Sequence, residues 1–149
     1  MNFDLADEHR MLQELVARFV REQLLPLERD VLAREATTGQ LTLLSDDQQR
    51  LDAVSRELGL WGLDAPTEMG GFDLPVSAMV GVNEELGKTI MPYELPPDSP
   101  NLVMLLRTAN DAQRATYLAP YARGDTQSAI AISEPGAADP DLAAVDHPF

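Results

Sequence analysis

Ala129-Ile130-Ala131-Ile132-Ser133-Glu134-Pro135-Gly136-Ala137 is the stretch that divides this sequence. Upstream of it the chain alternates between helical patterning and helix-linking loop. Here Ile and short apolar residues run together, as in a buried strand. Ser133 and Glu134 follow, and Pro135-Gly136 ends the strand in a turn. The order predicts a helical domain that hands over to a β-segment, with a polar cluster at the junction. Ligands often bind at such junctions. A core strand followed by a turn accounts for the same residues without any ligand.

The bulk composition narrows the classes. A chain of 149 residues is the size of one ordinary domain and can bury a real core. It is 44% hydrophobic and 24% charged, which is globular rather than disordered. A formal charge of −14 argues against nucleic acid and anionic membrane surfaces as partners, because phosphates are met by Lys and Arg. The absence of cysteine excludes disulfides, zinc-thiolate sites and thiol nucleophiles. His9 and His147 lie at opposite ends, so no His-based metal site is expected. The N-terminus is acidic and amphipathic, unlike a signal peptide, and no apolar run approaches membrane-spanning length. The expectation is a soluble, cytoplasmic protein.

Working back from the junction, five helical segments are expected. Leu12, Leu15, Val16, Phe19, Val20 and Leu24 form one apolar stripe. Pro26 should kink that element, and Leu27 to Leu32 should continue it. Residues 34–44 read as a loop around Thr37-Thr38-Gly39. Ser45 and Gln48 read as a capping box for a helix that carries Leu51, Val54 and Leu58 inward and stops at Gly59. A constrained loop follows, with Trp61 as a core anchor between Gly59 and Gly62, then Pro66 and Gly70-Gly71. Pro75 opens a third helix with Val76, Met79, Val80 and Leu86 as its apolar side; Gly81 within it suggests close packing. Pro92, Pro96 and Pro97 make a stiff bridge. Ser99-Pro100 begins a short buried helix, and Asn110 with Gln113 begins the last, with Tyr117, Leu118 and Tyr121 inward and Gly124 closing it.

Several of these segments together resemble one family. The features are Phe19-Val20 and Leu25-Pro26, then Leu58-Gly59-Leu60-Trp61-Gly62-Leu63 with Pro66, Glu68 and Gly70-Gly71, and then Glu84-Glu85-Leu86-Gly87. After them come Gln113, Tyr117-Leu118, Pro120, Gly124 and Ala131-Ile132-Ser133-Glu134-Pro135-Gly136-Ala137. In order and spacing, these resemble the N-terminal portion of an acyl-CoA dehydrogenase over nearly the whole chain. The resemblance implies a mainly α fold: a helical-bundle domain over residues 1–124, with 125–149 as the first strand and beginning of a middle β-domain.

The resemblance also implies an activity, the α,β-desaturation of an acyl-CoA thioester. FAD would be the cofactor, and an electron-transfer flavoprotein would be the acceptor. Homo- or hetero-oligomeric assembly with dehydrogenase subunits is implied as well. Carried over by position, Ile130, Ala131, Ile132 and Ser133 are the flavin-contacting candidates. Tyr93, Leu95, Leu102 and Leu105 would border the acyl-chain channel. The family's catalytic glutamate lies in a C-terminal domain, and no residue here matches it. Glu68, Glu84, Glu85 and Glu134 are therefore read as structural. Ala138-Asp139-Pro140-Asp141 stands where the family has Gly-Ser-Asp, so no flavin-phosphate contact is carried over. The chain reaches Phe149 where the middle domain should begin, which implies a part of a larger enzyme, not catalytic alone. Two other readings share the scaffold: a non-catalytic helical partner subunit, and part of a flavin monooxygenase or nitroalkane-type oxidase. A plain helical interaction module is the reading outside the family.

Overall fold

A computed structural model describes residues 6–97 and 99–128, and these form a mainly α-helical domain with no strand among them. The strand expected over 126–133 falls mostly outside the described residues, and 126–128 are irregular.

Helix α1 (Asp7–Phe19) leads through a wide π segment (Val20–Leu24) and a 3-10 turn (Leu25–Leu27) into α2 (Glu28–Thr38). Its expected stripe forms: Val16, Phe19, Val20 and Leu24 are buried. Pro26 bends the run without breaking it. A proline in a helix clashes with the carbonyl four residues back, here that of Glu22. The π segment widens the turn at that point, and the Leu25 N–H reaches the Val20 carbonyl instead. The chain repeats this arrangement near its other end. Helix α6 (Asp111–Gln113) passes through a π segment (Arg114–Leu118) into α7 (Ala119–Arg123), and the Ala119 N–H bonds the Arg114 carbonyl just before Pro120.

Four local expectations are corrected. First, α2 runs on to Thr38, where a loop was expected. The Thr37 and Thr38 hydroxyls donate to the Arg34 carbonyl at 2.8 and 2.9 Å and close the last turn. Second, Ser45 is the first residue of α3 (Ser45–Glu57), and Leu44 occupies the cap without a side-chain bond. Gln48 reaches forward to Asp52 at 3.0 Å, so no capping box forms there. The box at Asn110 and Gln113 does form, with both bonds at 2.9 Å.

Third, α4 (Val76–Leu86) turns Ala78, Gly81, Val82 and Glu85 inward, leaving Val76 and Val80 exposed. The reason is its crossing with α1. A Cβ at Gly81 would lie 3.4 Å from the Gln13 side chain, so the small residues face the crossing. Gln13 donates to Glu85 at 3.1 Å, and Lys88 pairs with the same carboxylate at 2.8 Å. Fourth, Tyr117 is exposed while Leu118, Tyr121 and Ala122 are buried. The π segment lengthens the turn and rotates the face that a regular helical period assigns.

The buried side chains form two clusters. The larger gathers Phe19, Leu24, Val31, Leu51, Leu60 and Val82, with Met91 and Tyr93 from the proline bridge. The Phe19 and Tyr93 rings meet at 5.8 Å, tilted by 42°. The smaller comprises Ala65, Leu102 of α5 (Ser99–Thr108), Leu118 and Tyr121. Outside these, Glu28 at the start of α2 accepts from the Thr89 hydroxyl at 2.7 Å and the Ile90 N–H at 3.1 Å. Those two bonds hold its carboxyl below the ordinary value, the hydroxyl contributing most.

The loop between α3 and α4 connects the clusters. The Leu74 N–H donates to Leu63 at 2.9 Å, Asp73 to Ala65 at 2.8 Å and Phe72 to Gly62 at 3.0 Å, folding the loop back on itself. Gly71 sits in the fold with no room for a side chain: a Cβ would lie 2.6 Å from the Ala65 carbonyl carbon. Gly71→Ala is therefore expected to destabilise the domain by about 2–3 kcal/mol, the cost of overpacking against backbone that cannot yield. Urea unfolding followed by far-UV circular dichroism reads this as a lower midpoint at unchanged slope. An unchanged midpoint would contradict the packing described.

Candidate functional site

An open cleft lies where the bridge, α3 and the segment after α7 meet. Its volume is about 580 Å³. Each wall has a local cause. Met91, Pro92, Tyr93, Glu94, Pro96 and Pro97 form the first, held extended because proline cannot enter a regular helix. The Gly62 N–H donates to the Pro96 carbonyl at 2.8 Å and fixes this bridge against the folded loop. Gln48 and Asp52, one turn apart on α3, form the floor. Trp61, Tyr121 and Gly124 form the opposite wall, and Thr126, Gln127 and Ser128 form the edge. Asn101 of α5 donates to the Ser128 hydroxyl at 2.7 Å and secures that edge. A second depression of about 520 Å³ shares Gln48, Asp52, Pro92 and Gln127 and continues along Leu41–Leu43.

Trp61 closes the cleft on one side. Its indole N–H donates to the Ala122 carbonyl at 2.9 Å. The Arg56 guanidinium lies 3.3 Å from the centre of the ring, a cation–π stack. The same guanidinium donates to the Arg123 carbonyl. Gly124, with φ of +82°, lets the chain pass the ring: a Cβ there would lie 2.5 Å from the indole. A side chain at this position would clash and would also be forced into left-handed backbone.

The cleft floor carries the clearest electrostatics. The Tyr93 hydroxyl donates to Asp52 at 3.2 Å, and Gln48 donates to the same oxygen at 3.0 Å. Burial pushes the Tyr93 phenol well above its ordinary value; a hydrogen bond with Ser55 partly opposes this, and the Asp52 charge adds to it. Tyr93 is therefore a neutral donor at physiological pH, and Asp52 is an acceptor already engaged by two donors.

The four acyl-channel candidates occupy different places. Tyr93 lines the cleft. Leu95 is half-buried against the larger cluster, Leu102 is wholly buried in the smaller one, and Leu105 is half-buried against it. They do not converge on one surface. The flavin candidates Ile130, Ala131, Ile132 and Ser133 lie outside the described residues. Sequence reasoning gave Gln48 a capping role rather than a place in a site, did not single out Asp52 or Glu94, and assigned Trp61 to the core alone. The only available signal was the one-turn spacing of Gln48 and Asp52 on a predicted helix.

The lining bears on what the cleft could hold. It contains Asp52 and Glu94 and no Lys or Arg. A flavin pyrophosphate or a CoA phosphate does not fit such a set, because phosphates need cations or helix N-termini. Its aromatic and proline walls suit an uncharged group. Among the described residues no cluster of His, Cys, Asp or Glu could hold a metal ion, and no helix is long and apolar enough to cross a membrane.

The raised phenol has a signed consequence. Above the ordinary tyrosine value of 10.0 the unfolded chain releases the Tyr93 proton and the folded chain keeps it, so stability falls as pH rises through that value. Tyr93→Phe is expected to cost about 1 kcal/mol at neutral pH for the lost hydrogen bond. It should also flatten the alkaline decline. Denaturant melts at neutral and alkaline pH compare the two slopes; parallel declines would contradict the environment described for Tyr93.

Comparison with known proteins follows the same lines. The family model for the acyl-CoA dehydrogenase N-terminal domain matches residues 6–125. (R)-benzylsuccinyl-CoA dehydrogenase of Thauera aromatica is 38% identical over 145 residues, covering 92% of this chain and 36% of that protein. Mitochondrial isovaleryl-CoA dehydrogenase of Pongo abelii is 30% identical over 136 residues, covering 89% and 30%. The mitochondrial short-chain specific acyl-CoA dehydrogenase of Rattus norvegicus is 25% identical over 144 residues, covering 89% and 31%. The chain thus spans about a third of the length of these relatives. No solved structure matches it. With helices, glycine-pinned loop and closing α7 all inside the matched range, the chain belongs to the acyl-CoA dehydrogenase family, residues 6–125 being an N-terminal domain of that family.

Proposed function

We propose that this chain is the N-terminal part of a flavin-dependent dehydrogenase that converts an acyl-CoA thioester to its 2,3-enoyl form. The observation that carries the reading is the family match over residues 6–125. In this proposal residues 1–124 are the helical domain and 125–149 open a β-domain. Ile130, Ala131, Ile132 and Ser133 would meet the flavin edge through backbone amides and one hydroxyl. When bound, FAD supplies the hydride acceptor. The domain contributes shape: the prolines of the bridge and the Trp61 wall hold a fixed surface beside Thr126–Ser128, which leads to 130–133.

No described carboxylate is placed as the base. Glu85 is engaged by Lys88 and Gln13, and Asp52 by Tyr93 and Gln48. In keeping with the family resemblance, the base is assigned to a C-terminal domain outside the described residues, and the domain alone is proposed to be inactive. Transfer of electrons to an electron-transfer flavoprotein, oligomeric assembly and a cytoplasmic setting belong to the same reading.

The test is to isolate the native flavoprotein that contains this sequence and mix it anaerobically with acyl-CoA thioesters. Bleaching of the flavin band with formation of an enoyl-CoA is the expected outcome, with reoxidation by an electron-acceptor dye. Oxygen consumption without an acceptor would identify an oxidase instead. Absence of flavin from every species containing the chain would overturn the proposal.

A further inference from the structure

The cleft floor carries a charge selection that the family match does not assign. We infer that this cleft receives the uncharged end of a ligand and rejects one ending in a carboxylate, with Asp52 as the discriminating residue; the inference rests on the acyl-thioester reading for the identity of the ligand. Three observations support it. The walls are aromatic and proline, with Met91, Tyr93, Pro96, Pro97 and Trp61 facing the space. Its ionisable lining groups are Asp52, Glu94 and the two phenols, of which Tyr93 is held neutral by burial. Lys and Arg are absent from the described lining.

The nearest guanidinium does not alter this. Arg56 is stacked on the Trp61 ring and bonded to the Arg123 carbonyl, and it is not among the residues that line the space. Arg123 is paired with Asp125 at 2.8 Å. A carboxylate entering the cleft would lose water and meet the Asp52 and Glu94 charges, with no Lys or Arg in the described lining to offset the desolvation. The Tyr93 hydroxyl and the Gln48 amide, the two donors on the floor, already serve Asp52. An aliphatic or aromatic acyl end meets no such cost. The inference separates the acyl group of this chain from half-thioesters of dicarboxylic acids, the chemical class named for the benzylsuccinyl-CoA relative.

Trp61 is the only tryptophan and lines the cleft, so its fluorescence reports occupancy. The full chain is titrated with two thioesters of N-acetylcysteamine: hexanoyl, which is uncharged, and mono-adipoyl, which ends in a carboxylate. The expected result is saturable quenching by the hexanoyl thioester and about ten-fold weaker binding of the adipoyl one, with the gap shrinking at high salt. Asp52→Asn keeps an acceptor for Tyr93 and should narrow the gap several-fold; Glu94→Gln, on an exposed residue, should narrow it less. Equal binding of the two thioesters, tighter binding of the adipoyl thioester, an unchanged gap in Asp52→Asn, or no quenching by either would each overturn the inference. The titration needs neither flavin nor turnover. A chain that sorts these thioesters without forming a dehydrogenating flavoprotein keeps the cleft and loses the dehydrogenase reading, and the reverse result does the opposite.

Discussion

The domain depends on how Trp61 is held. Its indole N–H is bonded to Ala122, its face is covered by Arg56, and its edge passes Gly124 with no room for a Cβ. These contacts tie α3, the folded loop and the end of α7 at one point. The two hydrophobic clusters lie on elements that this point brings together: Leu60 and Leu63 beside Trp61 belong to the larger, Ala65 and Tyr121 to the smaller. Each cluster alone is modest for a domain of this size, and burial is the main term opposing chain entropy. A fixed junction between them lets the buried area act as one cooperative unit.

The same junction creates the cleft. The proline bridge cannot fold into a helix, so it stands as an extended wall, and the Gly62–Pro96 bond sets its distance from Trp61. Tyr93 is the hinge between core and site: its ring packs on Phe19 in the larger cluster while its hydroxyl faces Asp52 on the floor. Rigidity in the site therefore follows from packing in the core. A binding surface built this way loses little side-chain entropy when it is occupied.

What the sequence revealed and what it hid follow from one distinction. Interactions between near neighbours were legible: the α1 stripe, the Asn110–Gln113 box, the glycine stops and the family's order of motifs. Helix phase was not. Two prolines sit just after π segments, and the second segment rotates Tyr117 outward although a regular period places it inward. On α4, crossing with α1 favours the small residues over Val76 and Val80, a choice made by a helix more than sixty positions away. The candidate site was partly legible. Tyr93 was named through the family resemblance and lines the cleft, whereas Gln48 read as part of a capping box and Asp52 was not singled out, because the bridge that lies over them is more than forty positions away. Leu102 and Leu105 were channel candidates through the family resemblance alone, and their burial in or against the smaller cluster is a packing feature that the order of motifs does not reveal.

The claim that everything else rests on is the Trp61 junction, and hydrogen exchange at its indole N–H tests it most directly. Followed by NMR in deuterated buffer, this single proton should exchange as slowly as the amides of the buried helices, because releasing it requires the two clusters to separate. Exchange at the rate of a free indole, in a chain whose helical amides remain protected, would show that α7 does not close on Trp61. The cleft and the function built on it would then not stand.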